Sequence, residues 1–299
     1  MAHNAFTIDV EDWFHICGVD DRLPPASWPA LPSRVEQTTR WLLDDLDAAG
    51  VRATFFVVGW VAERFPELVA AIVSAGHEVG AHGYWHRRAY ELTPEAFAAD
   101  LARNVDVLHA AGATGVRAFR APEWSITRDA AWALPVLRCA GIVIDASRAP
   151  VPIVGSPTWP RRPYPIATED GVIAEVPPLV VDRGRWAYPL GWGWALRATR
   201  PAEVLRAIES RNRAGDPAVL TVHPWEIDPD PPRVRLPRRL AFAHYFRLGG
   251  FRARLQAVLA GGDFGPVSAL ADVTGWVGVA DVTPLNVERG LQPPRLARG

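Results

Sequence analysis

The chain has 299 residues, of which 49% are hydrophobic and 22% charged, a composition typical of a folded globular protein and unlike that of a disordered chain. Its 32 basic and 33 acidic residues give a net charge of −1, so no overall positive field would draw it to nucleic acid. Every basic residue is arginine, which excludes mechanisms that need a lysine, such as a P-loop or a Schiff base.

The first residues, the lengths of the apolar segments and the two cysteines indicate the cellular compartment. The first residues lack the basic segment and apolar stretch of a signal peptide, and no segment approaches the length of a transmembrane helix. We therefore expect a cytoplasmic protein without a transmembrane segment. Cys17 and Cys139 are too few for a disulfide framework and have no metal-binding spacing, so we expect them to be inert.

Short apolar segments alternate along most of the chain with amphipathic segments of helical period. This alternation is typical of β/α units around a parallel sheet, so we predict an α/β fold. A capping box of Ser33 and Glu36 is expected to begin the first helix, and Gly50 to end it. The predicted strands lie at 5–10, 53–58, 78–81, 116–119, 142–144 and 218–222. The predicted helices lie between 33 and 50, at 66–75, between 93 and 112, and at 127–140, 201–213 and 251–259.

Two parts of the chain depart from this pattern. Residues 146–200 are rich in proline, glycine and tryptophan, and we expect them to form a long functional loop region. A turn-rich segment near residue 228 begins a C-terminal extension of the main domain, which we place at residues 1–283. We expect the tail 284–299 to be loosely ordered.

A pair of histidines and a group of acids suggest a metal site. His82 and His86 have the i, i+4 spacing that lets two imidazoles bind one metal, although two packed or surface histidines would look the same. The first strand ends in Asp9, Glu11 and Asp12, and burying these acids together would need a cation or a shared proton. Two histidines and one carboxylate form a catalytic site for zinc or another divalent ion. A solvated turn after the strand is the alternative.

Three further polar residues follow predicted strands, namely Arg120, Asp145 and His223. In a β/α barrel the carboxyl ends of the strands form one face, and polar residues on that face are typical of a catalytic site. Each residue alone has a structural explanation, such as a surface ion pair for Arg120. Together with Asp9 and His82 they predict a single site drawn from five distant segments.

The order of these motifs resembles the polysaccharide deacetylases of carbohydrate esterase family 4, which have the NodB-homology fold. The shared pattern is Thr7-x-Asp9, His82-x-x-x-His86, Arg120-x-Pro122, Asp145 and Leu220-x-x-His223. Segments 9–13, 56–60, 63–66, 91–94, 125–128 and 223–229 resemble the subgroup associated with exosortase exopolysaccharide loci. The resemblance covers about residues 5–260.

The resemblance implies a distorted, TIM-like (β/α) barrel that removes acetyl groups from the N-acetylhexosamine units of a polysaccharide. It implies a divalent metal cofactor, with zinc expected and cobalt or another ion as alternatives. It also assigns roles to six residues of this chain. Asp9 is the general base, His223 the general acid, His82 and His86 are metal ligands, Arg120 holds Asp9, and Asp145 supports His223.

The chain departs from the family pattern in two places. The commonest pattern puts the metal carboxylate directly after the base, where this chain has Val10. The ligand is therefore Glu11 or Asp12, and variants with Asp-x-Asp favour Glu11. The family usually has serine or threonine after its first histidine, where this chain has Gly83, so the hydroxyl that would brace this loop is missing.

The thirteen tryptophans are many for a chain of this length. Because sugar rings stack their C–H faces on aromatic planes, a tryptophan-lined groove suits a glycan. We expect about half of the tryptophans only to pack the loops. The expected substrate-binding residues are Trp13, Tyr84, Trp124 and Trp225.

The expected partner is a polysaccharide or oligosaccharide that contains N-acetylhexosamine, and not nucleic acid. The oligomeric state is left open. Peripheral attachment at a membrane-bound exopolysaccharide assembly system is the alternative to a freely cytoplasmic location. Two other functions remain, a metal-dependent hydrolase of another amide bond and a catalytically idle glycan-binding protein.

Overall fold

The apolar segments form short strands in the computed structural model, which describes residues 4–270 and 283–284. The strands are β1 (Asn4–Val10), β2 (Thr54–Val57), β3 (Glu78–Ala81), β4 (Ala118–Phe119), β5 (Ile144–Asp145), β6 (Tyr164–Thr168), β7 (Gly171–Glu175), β8 (Val181–Arg183), β9 (Trp186–Tyr188), β10 (Val219–Val222), β11 (Phe264–Gly265) and β12 (Thr283–Pro284). The helices are α1 (Val35–Ala49), α2 (Gly59–Arg64), α3 (Pro66–Ser74), α4 (Pro94–Ala110), α5 (Ala133–Cys139), α6 (Gly193–Ala198), α7 (Pro201–Arg213), α8 (Arg238–Tyr245) and α9 (Phe251–Gly261).

One curled sheet contains most of the strands, in the order β10-β1-β2-β3-β4-β5-β7-β6-β12, with β11 beside β1. Its neighbours are parallel except for the antiparallel hairpin of β6 and β7. Helices pack against the sheet and bury a continuous apolar core. The predicted α/β barrel is confirmed as a curled half-barrel within a single main domain.

The register of the central strands brings the predicted site residues to one edge of the sheet. Thr7 of β1 lies level with Thr54 of β2 and Thr221 of β10, and Ala81 of β3 lies level with Phe119 of β4. Because these strands are parallel, their carboxyl ends lie at the same edge. The residues that follow β1, β3, β4 and β10 therefore meet there.

Helix α1 is capped by a residue far from it in the sequence, and the predicted capping box is absent. Arg34 precedes the helix and its side chain makes no capping hydrogen bond, while Ser33 donates its hydroxyl to Asp12. Oδ2 of Asp12 also accepts the backbone N–H groups of Arg34 and Val35 at 3.0 and 3.3 Å. At the other end Gly50 has φ +66° and closes the helix as predicted.

The segment 146–200 was expected to be a loop region, but it contains β6 to β9 and α6. Its first hairpin extends the sheet beyond β5, which explains its short apolar stretches. Helix α8 was not predicted, because prolines and arginines dominate the segment that leads into it. All but the first residue of the expected tail 284–299 lies outside the described residues, and the boundary near 228 remains a prediction. No described helix is both long and apolar enough to span a membrane.

Candidate active site

Three strands deliver polar side chains to a cavity of about 170 Å³ at the carboxyl edge of the sheet. Asp9 is the second-last residue of β1, and Glu11 directly follows the strand. Asp9 is 2% exposed and Glu11 is 5% exposed. His82 follows β3, and His223 follows β10. All four line the cavity. Of the five residues predicted to converge, Asp9, His82 and His223 line it and Arg120 contacts Asp9, whereas Asp145 does not line it.

Glu11, His82 and His86 form a candidate metal site. One potential ligand atom from each lies within 4.8 Å of the other two, and this is the only such group found in the described part of the chain. Burial alone would raise the pKa of Glu11, but the imidazoles of His86 and His223 lower it below its ordinary range. Two imidazole nitrogens and an ionised carboxylate are the ligand set of a catalytic divalent site with open positions. The donor set therefore fits the expected cofactor.

Both histidines are held in orientations that suit metal binding. Nδ1 of His82 lies 2.7 Å from the backbone oxygen of Arg120, so it donates its proton there and leaves the Nε2 lone pair free for a metal. His86 has φ +53°, and its Nε2 atom lies 2.5 Å from Oε2 of Glu11. Its Nδ1 atom lies 3.5 Å from Sγ of Cys17, a buried thiol that the sequence did not connect with the site.

The loop between the two histidines is braced by carboxylate and amide side chains of α4. Oδ2 of Asp100 accepts the backbone N–H of Tyr84 at 2.7 Å, and Oδ1 of Asn104 accepts that of His82 at 2.8 Å. Gly83 has φ +71°, and a Cβ at this position would lie 3.0 Å from Oδ2 of Asp100. Asp100 thus occupies the space beside Gly83 and supplies bracing where the family usually has a hydroxyl.

Arg120 makes the predicted contact with Asp9. Its Nη1 atom donates to Oδ1 of Asp9 at 2.7 Å and to Oγ1 of Thr7 at 2.8 Å. The other oxygen of Asp9, Oδ2, lies 3.9 Å from Nε2 of His82 and 3.9 Å from Nε2 of His223. Arg120 therefore holds one carboxylate oxygen and leaves the second one facing the cavity.

His223 is held by a buried pair of charges. Its Nδ1 atom lies 2.9 Å from Oε2 of Glu226, whose Oε1 lies 2.9 Å from Nε of Arg197. Glu226 and Arg197 are each 1% exposed. Burial opposes charge on His223, but the carboxylates of Glu11 and Glu226 outweigh it and raise the pKa of His223 to about 9. The arrangement favours an imidazolium whose Nε2 atom faces Asp9.

The structure corrects the expectation that Asp145 supports His223. Asp145 is fully buried, accepts a hydrogen bond from Ser147, and lies level with Glu175 of the neighbouring strand β7. Burial and the neighbouring Asp145 carboxyl raise the pKa of Glu175 well above its ordinary value, which favours a protonated Glu175 beside Asp145. Asp145 is the last residue of β5. The carboxylate that contacts Nδ1 of His223 is that of Glu226.

The choice between Glu11 and Asp12 is also made by the geometry. Asp12 is 1% exposed, and both of its carboxylate oxygens accept hydrogen bonds at the start of α1. It is absent from the group of potential ligands, which contains Glu11. The expectation that Asp12 could be the metal ligand is thus corrected, because its side chain points to the helix and anchors the loop that carries Glu11.

Two of the four predicted substrate-binding residues line the cavity. Trp124 stacks on Trp192, with ring centroids 4.6 Å apart and planes inclined by 17°. Trp225 stacks on His223 at 5.2 Å, and its Nε1 atom donates to Oε1 of Glu11 at 3.1 Å. Aromatic planes therefore form two sides of the cavity.

The other two predicted substrate-binding residues belong to the core and are corrected. Trp13 is 2% exposed, and its Nε1 atom donates to the backbone oxygen of Pro32 at 3.0 Å. Tyr84 is 1% exposed, and its hydroxyl donates to Oε2 of Glu63 at 2.6 Å. Neither side chain lines the cavity, because each points into the packing between the sheet and its helices.

Sequence reasoning missed several residues that shape the site. Glu226 could have been found, since it lies three residues after His223 within a motif already singled out. Arg197 gives no signal, because it stands in the irregular segment 146–200. Asp100 and Asn104 lie at i, i+4 on α4, a spacing that predicts a shared helix face but no partner.

The comparisons with known proteins divide the chain into two matched parts. A sequence model of the family described as polysaccharide deacetylase matches residues 25–139, which contain His82, His86 and Arg120. A second model, described as a domain of unknown function (DUF3473), matches residues 146–272. That second part contains His223 and Glu226.

Curated relatives match shorter segments. The peptidoglycan-N-acetylglucosamine deacetylase of Bacillus cereus is 29% identical over 88 residues, which are 29% of this chain and 32% of that protein. The peptidoglycan deacetylase of Helicobacter pylori is 35% identical over 75 residues, which are 25% of this chain and 26% of that protein. The matched segments thus span about a third or less of these relatives.

A solved structure matches nearly the whole chain. It is described as a candidate polysaccharide deacetylase from Mycobacterium smegmatis, with a TM-score of 0.60 and 23% identity over 98% of this chain and 94% of that one. This similarity establishes the fold. The family match and the deacetylase relatives show that the chain carries a polysaccharide deacetylase domain of carbohydrate esterase family 4, of the NodB type.

Proposed function

We propose that the protein is a metal-dependent N-deacetylase, which hydrolyses the acetamide of N-acetylhexosamine units in a polysaccharide and releases acetate. The observation that carries this proposal is the position of Asp9. Its free oxygen Oδ2 lies beside the Glu11, His82 and His86 cluster and 3.9 Å from Nε2 of His223. A base, an acid and a cation-binding group thus face one small cavity.

The chain's own residues support hydrolysis of an amide. Glu11, His82 and His86 would hold a divalent cation, which would supply Lewis acidity toward the acetyl carbonyl. Oδ2 of Asp9 takes a proton from the attacking water as the new C–O bond forms. Nε2 of His223 gives a proton to the sugar nitrogen as the C–N bond breaks, so that the amine and acetate leave.

The walls of the cavity favour a glycan substrate. The stacked pair Trp124 and Trp192 offers flat apolar faces next to the reacting groups. Trp225 also lines the cavity, with its ring stacked on both His223 and His244. Such faces bind the C–H side of a sugar ring, while its hydroxyl groups remain free for polar contacts. The deacetylase relatives from Bacillus cereus and Helicobacter pylori also support an acetylated glycan as substrate.

The experiment measures acetate release from N-acetylglucosamine oligomers by the purified protein, stripped of metal and then resupplied with zinc or cobalt. Release that depends on the added metal is expected. His82→Ala and His86→Ala should lose both bound metal and activity, whereas His109→Ala, an exposed histidine of α4, should change neither. Asp9→Asn should keep the metal and lose turnover by about 10²- to 10⁴-fold.

Two outcomes would contradict the proposal. Wild-type metal content in His82→Ala or His86→Ala would remove these residues from the metal site. Stoichiometric metal without acetate release would refute N-deacetylation of this substrate. Hydrolysis of another amide would then indicate the alternative enzyme, and glycan binding without any hydrolysis the idle binding protein.

A further inference from the structure

His15 is a buried histidine beside the active site to which the proposed mechanism gives no role. It lies four residues after Glu11 in the loop that follows β1, and only 3% of the residue is exposed. Its ring packs edge-on against Trp28 at 4.4 Å and against Trp60 at 5.4 Å. Its ring centroid lies 6.0 Å from that of His86. The aromatic packing therefore fixes this imidazole next to the metal ligands.

The protonation of His15 follows from a backbone contact. Its Nδ1 atom accepts the backbone N–H of Asp12 at 2.8 Å, and only an unprotonated ring nitrogen can accept. A ring whose Nδ1 atom is unprotonated is neutral, because an imidazolium carries a proton on both nitrogens. The proton of this neutral ring is then on Nε2. Because the Asp12 carboxylate is anchored at the start of α1, the whole loop holds this orientation.

The Nε2 atom of His15 is a hydrogen-bond donor without a protein acceptor. It is buried, and no residue within 4–270 or 283–284 accepts a hydrogen bond from it. A buried donor that lacks an acceptor destabilises the folded state. The same atom cannot ligate a metal while it carries a proton, and His15 is absent from the Glu11, His82 and His86 cluster.

His15 lies at the boundary of two cavities. His15 lines the cavity of the metal ligands and also a neighbouring cavity of about 370 Å³. Ile16 and His86 are shared by both cavities in the same way. The second cavity is lined by the rings of Trp28 and Trp85. A molecule that extends from one cavity into the other would pass the imidazole of His15.

We propose that His15 is a substrate-binding residue, whose Nε2–H donates a hydrogen bond to an oxygen of the acetylated sugar at the junction of the two cavities. This inference rests on the proposed function, because it takes an acetylated glycan as the ligand. The acceptor is an oxygen with a free lone pair, supplied by the acyl group or by a sugar hydroxyl. A neutral N–H donor suits both, and it discriminates against a ligand that would place a second donor there.

The test compares His15→Phe with His77→Phe in the metal-loaded protein. Phenylalanine keeps an aromatic ring and removes both nitrogens. His77 is the matched control, since its Nδ1 atom also accepts a backbone N–H, that of Ala53 at 3.2 Å, at the opposite edge of the sheet. His15→Phe should raise KM for N-acetylglucosamine oligomers by about three- to tenfold, with kcat within about twofold and metal content unchanged. His77→Phe should leave KM unchanged.

Two further measurements identify the acceptor and separate the two proposals. Oligomer binding is measured by calorimetry in an Asp9→Asn background, where it needs no turnover. Inhibition by acetate is measured in parallel. Weaker oligomer binding in His15→Phe with unchanged acetate inhibition assigns the bond to a sugar hydroxyl, and weaker acetate inhibition assigns it to the acyl oxygen. Unchanged values for both ligands would overturn the role of His15. Absence of acetate release by the wild-type protein would instead overturn the proposed function.

A third variant guards against misfolding. His15→Gln keeps an amide oxygen that can accept the N–H of Asp12 and an amide nitrogen that can donate into the cavity. It should recover at least part of the affinity lost in His15→Phe. A Gln variant that is folded and metal-loaded but binds the oligomer no better than His15→Phe would count against a hydrogen bond from this position.

Discussion

Nδ1 of His223 lies 2.9 Å from Oε2 of Glu226, three residues further along the same loop. The second oxygen of Glu226 pairs with Arg197, which also donates to the backbone oxygens of Ala243 and His244 in α8. One buried chain of contacts thus links His223 to the helix that forms a wall of the cavity. The orientation of His223 depends on residues from the part of the chain that matches the domain of unknown function.

Removing the charge of Glu226 should reduce turnover without removing the metal. Glu226→Gln takes away the carboxylate that orients His223, so we expect kcat to fall by about 10- to 100-fold, with metal content as in the wild type. The variant should also melt at a lower temperature, because Arg197 loses its buried partner. Acetate release, metal analysis and thermal unfolding measure these effects. Glu226→Asp, which keeps the charge, should retain more activity. Full turnover in Glu226→Gln would show that this carboxylate is not needed.

The space beside Glu226 allows an independent test of its position. A methyl group on Gly193 would collide with the carboxylate of Glu226, so Gly193→Ala should displace that side chain and lower kcat by about 10- to 100-fold. Gly249→Ala is the matched control, since nothing lies within 4 Å of a Cβ at that position. Both variants are compared by kcat and by metal content. Equal activity of the two variants would indicate that the site tolerates movement of Glu226.

The two neighbouring acids after β1 should behave differently when they are neutralised. Glu11→Gln removes a potential ligand and should weaken metal binding by about tenfold or more. Asp12→Asn should leave metal affinity within about threefold and instead cost about 1 to 2 kcal/mol of folding stability, because the start of α1 loses its anionic cap. Competition with a chelator gives the affinities, and urea unfolding gives the stabilities. A loss of metal affinity in Asp12→Asn as large as that in Glu11→Gln would contradict the assignment of the ligand.

The paired acids Asp145 and Glu175 predict a pH dependence of stability. Burial and the neighbouring Asp145 raise the pKa of Glu175 well above its ordinary value of 4.5. The folded protein therefore keeps a proton that the unfolded chain releases. As the pH rises above about 4.5, the contribution of this pair to the free energy of unfolding decreases. Below that value both states are protonated, and the contribution of the pair is fully present. The expected slope is up to about 1.4 kcal/mol per pH unit above it.

The measurement is the free energy of urea unfolding at pH 5 and pH 8. Glu175→Gln cannot titrate and can still donate to Asp145, so its stability should fall less between the two pH values than that of the wild type. Glu209→Gln, an exposed acid of α7, serves as the control and should follow the wild type. Parallel losses in Glu175→Gln and the wild type would mean that Glu175 does not keep its proton in the folded protein.

The pattern of the sequence was sufficient for the parallel sheet and for most of the elements that carry the site. Strand β3 and helix α7 have the predicted bounds, because apolar period, proline at the first turn and glycine after the last turn are local signals. The hairpin of β6 and β7 was missed. Its strands are short and flanked by prolines, and the hairpin is stabilised by the pairing of β7 with β5, which no local pattern reports.

In the site, too, local sequence patterns predict some features and contacts between distant segments determine the others. The spacing of His82 and His86 can be read from the sequence, and the alternation of β/α units predicts that strand ends such as those of Asp9 and His223 converge. The sequence does not show that Glu11 rather than Asp12 lies beside the histidines, which follows from the folded geometry. The contact of Glu226, rather than Asp145, with His223 also becomes visible only in the fold. Both choices depend on contacts between segments far apart in the chain, such as the anchoring of Asp12 at α1, and the distances between such segments are set by packing.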